Sequence, residues 1–102
     1  MSVWSSTPVS LVPEIELLSW SVRQLPEGDR HLVGYNGTEM EGRVSSKVLG
    51  FDLSTKIAIT ASGRAYKLIG ESGSDPDAEH VWAVWKRVNK VTTFTDVTDE
   101  YV

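Results

Sequence analysis

The residues able to do chemistry in this chain are few and thinly spread. His31 and His80 are its only imidazoles, and no cysteine supplies a thiolate nucleophile or metal ligand. Asp75, Asp77, Glu79 and His80 form one compact set of metal-ligating types. A metal site would need these groups to converge from one helical face, and Asp75 and Asp77 do not share such a face with His80. Acids here have a plainer role, as the favoured charge at a helix N-terminus. Serines are abundant, but neither histidine sits in a frame that would align a hydroxyl with its base. The eight glycines never form GxGxxG or a P-loop. Gly70-Glu71-Ser72-Gly73 precedes a helix and could turn N–H groups toward an anion, yet the acids that follow repel one. It reads as a strand-to-helix linker. No catalytic residue, metal or cofactor is predicted.

Groups suited to binding are better represented. Four tryptophans in 102 residues carry much apolar area for a small domain. Trp85 is predicted to be core. Trp82 falls on the flank of the same helix and Trp4 lies near the N-terminus, so both are candidates for a contact surface. Arg64, Lys67, Lys86, Arg87 and Lys90 are the only basic concentration. With Tyr66 and Trp82 nearby they would form a weak single-stranded nucleic-acid face; a solvated surface is the simpler reading. The candidate contact residues are Trp4, Trp82, Tyr66, Arg64 and His80. Net charge is −4, with four basic and six acidic residues in 1–51 and six and eight in 52–102. So little positive charge argues against duplex nucleic acid as a partner.

One domain must position these groups. Residues 1–13, rich in Ser and Pro, read as an N-terminal arm, and 14–102 as a single domain with a core of its own. Residues 15–25 alternate, predicting a strand with Leu18, Trp20 and Val22 on its buried face. Pro26 to Asp29 is a turn, and 30–35 a second strand. Asn36-Gly37 predicts a two-residue type I′ hairpin pairing Val33 with Met40 and Tyr35 with Thr38. Residues 38–51 would return as one long strand, with bulges or bends at Gly42 and Gly50 and a switch of face near Leu49. Ser62-Gly63 predicts a second two-residue hairpin, with Ile57, Ile59, Tyr66 and Leu68 on one core-facing side.

Asp75 and Pro76 open a helix over 76–90 whose core stripe is Val81, Val84, Trp85 and Val88. Lys86, Arg87 and Lys90 complement its C-terminal end, with Asn89 as a left-handed terminator. Residues 91–97 read as a last strand at an edge, followed by a short tail. The fold class is α+β: a mainly antiparallel, strongly bent sheet of five to six strands, half-open and barrel-like, with one helix in the C-terminal half packed on it.

The stretch 59–88, through Ser62-Gly63-Arg64, Tyr66, Leu68, Gly70, Val81-Trp82 and Trp85, resembles small uncharacterised bacterial proteins carried by mobile elements. That resemblance implies an accessory protein of phage, plasmid or integron gene-cassette type, with no assigned activity. The residues themselves favour a non-enzymatic module that binds a protein partner or a second copy of itself. The alternative is a small enzyme or small-ligand binder with a pocket between helix and sheet. No run of about 18 apolar residues predicts a membrane span. The N-terminus lacks the basic start and apolar stretch of a signal peptide, so the expected location is the cytoplasm.

Overall fold

The computed structural model describes residues 14–102, so the predicted arm with Trp4 lies outside the described residues. Six strands precede the helix: β1 (Ile15–Gln24), β2 (Arg30–Asn36), β3 (Glu41–Val44), β4 (Val48–Asp52), β5 (Ile57–Thr60) and β6 (Ala65–Leu68). Helix α1 (Pro76–Val88) follows, then the two-residue strand β7 (Thr95–Asp96) and a 3₁₀ turn at Thr98–Tyr101. The sheet order is β3-β2-β1-β6-β5-β4, with β7 also paired to β1. Every pairing is antiparallel except β1 with β6. The architecture is α+β. The sheet bends so far that its two outermost strands, β3 and β4, are joined by Ser45, Ser46 and Lys47 alone, without a ladder to close it.

The predicted 38–51 strand is therefore two strands at opposite ends of the sheet. The ladder of β4 with β5 is irregular between Val48 and Gly50, which is where the sequence switches face.

The bend gives the sheet two packed sides. Leu17, Trp20, Val22, Leu32, Ala58, Tyr66 and Leu68 fill the concave side, covered at one end by Val97 and Tyr101. Leu25 and Val33 face the other way and pack against Ala78 and Trp82 of α1. Adjacent residues of β2, Leu32 and Val33, thus serve different cores, as the two-residue period of a strand requires. Helix α1 lies on the convex side.

Several local expectations are corrected by loop geometry. In β1 the buried residue is Leu17 and Leu18 is exposed. Ser19 takes φ 47°, and the extra residue between Leu18 and Ser21 shifts the alternation so that Leu17, Trp20 and Val22 share the concave side. Asn36-Gly37 does not form a two-residue turn. The loop has four residues, pairing Tyr35 with Gly42 and Val33 with Val44. The Asn36 side chain accepts hydrogen bonds from the N–H groups of Thr38 (3.0 Å) and Glu39 (3.3 Å), and Met40 takes the left-handed position. Asn36 thus builds a turn with its side chain instead of its own backbone. Asp52 and Lys56 repeat the device before β5.

The hairpin at Ser62-Gly63 has three loop residues, not two. The Gly63 N–H donates to Thr60 O (2.8 Å), Thr60 N–H donates to Arg64 O (3.1 Å), and Gly63 has φ 88°. This is a type I turn closed by a glycine bulge. Ala58 therefore pairs with Tyr66 and Ile59 with Ala65. Slipping by one residue inverts β5: Ala58 is core, and Ile59, predicted inside with Tyr66, is 45% exposed.

Beyond α1, only Thr95 and Asp96 of the predicted 91–97 strand are in a ladder, against Gln24 and Arg23. The expected tail is the 3₁₀ turn, whose Tyr101 is buried.

Candidate functional site: the outer face of the helix

The sequence dictates the ends of α1 directly. The Asp75 carboxylate accepts from the Ala78 N–H (3.0 Å), Pro76 takes an early position that needs no donor, and Asp77 and Glu79 lie in the first turn. At the other end Lys90, not Asn89, is the left-handed residue (φ 57°). The Val91 N–H donates to Lys86 O and the Lys90 N–H to Arg87 O, the pairing of a Schellman cap. Asn89 instead uses its side-chain amide to donate to Trp85 O (2.9 Å).

The rotation of α1 about its axis differs from the predicted one. The face against the sheet carries Ala78 and Trp82; Trp82 is 3% exposed and Trp85 is half-buried beside it. Their indoles stack at 5.2 Å and 11°. His31 of β2 meets Trp85 at 4.6 Å, and Phe94 meets Trp82 edge-on at 5.1 Å. The buried Arg23 guanidinium of β1 lies 5.1 Å from the Trp82 ring and makes a two-pronged ion pair with Glu79. A stacked, charged layer of this kind holds the helix more specifically than valines would, because aromatic and guanidinium planes fit in few orientations.

The consequence is an apolar stripe that stays exposed among the described residues. Val84 is 39% and Val88 72% exposed, against the prediction that both were core. His80, Val81, Val84, Trp85, Val88 and Asn89 line a shallow cleft of about 340 Å³ on this outer face. Val81 and Trp85 form its half-buried floor. The imidazole of His80 is the only ionisable group in that lining.

The other predicted contact residues do not gather at this cleft. Tyr66 is buried on the concave side, its hydroxyl accepting from Arg43 Nε (3.0 Å). Trp82 is buried on the convex side, so the two rings cannot make one platform with the basic residues. Arg64 is half-buried in the β5–β6 loop. His31 is buried with Nδ1 2.8 Å from Ser45 O. Among the described residues, no group of three or more His, Cys, Asp and Glu could hold a metal ion. Nor is any helix there long and apolar enough to cross a membrane.

Two further clefts flank the C-terminal turn, and each has a charged group bonded within the chain. In one, of about 390 Å³, Asp96 Oδ1 accepts from the Thr98 N–H. In the other, of about 360 Å³, Lys56 Nζ donates to Tyr101 O. Val84 and Val88, expected in the core, are the exposed apolar residues of this face. Their signal in the sequence is an apolar stripe at helical spacing, which by itself does not tell a core face from an exposed one. No family model, curated protein or solved structure matches this chain.

Proposed function

We propose that this chain is a non-enzymatic protein-binding module, a small accessory protein that makes contact through the outer stripe of α1. The observation that carries the reading is the exposure of Val84 and Val88 beside half-buried Val81 and Trp85. A solvent-facing helix of a monomer ordinarily turns polar residues outward, and a contiguous apolar stripe is the usual mark of an interaction surface. The acidic balance, −4, favours a protein over a nucleic-acid partner. The lack of cysteine suits a cytoplasmic setting. An accessory role also accords with the mobile-element resemblance over 59–88.

The test is a photo-crosslinking amino acid placed at Val88, and as a control at exposed Thr93, in the cells that make the chain. The reading expects a polypeptide adduct from position 88 well above that from 93. An adduct yield at 88 no higher than at 93 overturns it.

A further inference from the structure

We propose that the occupant of the outer stripe is a second copy of this chain, its α1 lying antiparallel on the first about a two-fold axis at Val84. This rests on the reading of the stripe as a contact surface and names what covers it. Asp77, Val81, Val84 and Val88 follow one another at steps of four, three and four residues, the spacing of a helix-pair seam. A two-fold contact needs a patch complementary to itself.

The charges of α1 meet that requirement. Asp77 is exposed in its first turn and Arg87 in its last, and exposed Lys90 follows, whereas Glu79 is paired with Arg23 and Lys86 lies 5.4 Å from the Phe94 ring. In the antiparallel arrangement Val84 meets Val84 and Val81 meets Val88 of the second copy. Asp77 of each copy then lies at the basic end of the other, nearest Lys90. The helix dipoles oppose in the same arrangement. A parallel pair would set acid on acid and base on base, and a helix of uniform charge would be repelled at one end of α1.

Sedimentation velocity of the full chain over a dilution series tests this, with circular dichroism and thermal melts of each variant to verify folding. The wild type is expected to pass from dimer to monomer on dilution, at lower concentration in low salt than in high. Val84→Glu is expected to lose the dimer with its melt retained, because that side chain is on the axis and outside the core. Asp77→Lys and Lys90→Asp each turn both opposite-charge pairs of the seam into like-charge pairs and are expected to be monomeric alone. Mixed in equal amounts they regain both complementary pairs and are expected to form a heterodimer. Lys90→Asp is a suitable change because aspartate tolerates the left-handed backbone there.

A wild type that stays monomeric at the highest concentration overturns the proposal, as does a dimer indifferent to Val84→Glu or a mixture that does not associate. A monomeric wild type that still crosslinks to another polypeptide through position 88 removes the second copy and leaves the contact-surface reading standing.

Discussion

Gly42 of β3 lies directly against the main chain of Asp77 in the first turn of α1, so close that a Cβ on Gly42 would overlap that backbone. The contact sets how near the first turn of the helix can come to the sheet. Gly42→Ala is expected to destabilise the fold by about 1–3 kcal/mol, the usual cost of forcing an extra carbon into a packed site. A denaturant melt measures it, and an unchanged midpoint would mean the helix can lift without loss.

The rotation of α1 has its own test. Trp82→Ala is expected to cost about 3–5 kcal/mol, as for a large aromatic removed from a core. Val88→Ser, on the exposed side, is expected to change stability by under about 0.5 kcal/mol under conditions where the chain is monomeric. Urea melts of the two variants should differ accordingly. The reverse order would mean that Val88 is the buried residue.

The pair of Arg23 and Glu79 is asymmetric, with the arginine side chain buried and the glutamate 42% exposed. Removing the exposed partner leaves a buried charge uncompensated, whereas removing the buried charge does not. Glu79→Ala is therefore expected to destabilise more than Arg23→Met, by about 1–2 kcal/mol after allowance for solvent screening at the glutamate. Chemical denaturation of both variants at neutral pH checks the order. Equal losses would show that the guanidinium contributes chiefly through packing on Trp82 and Phe94.

Asp52 is held below the ordinary aspartate range by the Ser54 hydroxyl, which donates to its carboxylate at 2.7 Å, and next by the Ser54 N–H. The folded value lies below the unfolded one. The support this carboxylate gives the β4–β5 turn is thus complete above the unfolded pKa and is lost as pH falls through the folded one. Carboxyl-detected NMR should place the Asp52 midpoint below the ordinary range in the wild type and nearer to it in Ser54→Ala. A wild-type midpoint at the ordinary value would contradict the hydrogen bonds.

Local chemistry was legible wherever a residue acts on its immediate neighbours. The start of α1 follows from Asp75, Pro76 and the acids behind them, and the turn at 26–29 from Pro26 and Gly28. The apolar-polar alternation of β1 shows that it is a strand, and the face switch near Leu49 marks the irregularity in the ladder of β4 with β5. These are short-range effects of sterics, capping and hydrogen bonding, and they need no partner from elsewhere in the chain.

Register and facing were decided only in three dimensions. One extra loop residue at Ser62-Gly63 sends Ile59 outward and Ala58 inward, and one bulged residue at Ser19 exchanges Leu18 for Leu17. Each strand has neighbouring apolar residues on opposite faces there, Leu17 beside Leu18 and Ala58 beside Ile59, and the bulge or turn decides which one is buried. Helix α1 likewise carries two apolar stripes. The one through Ala78 and Trp82 is buried because Gly42, Val33 and Arg23 offer it a close approach, an apolar floor and a charged layer for Glu79 and the indole. Those three residues come from three different strands. They meet because β3, β2 and β1 are neighbours in the sheet, and the helix face they hold leaves Val84 and Val88 outward, with Val81 half-buried, as the candidate site.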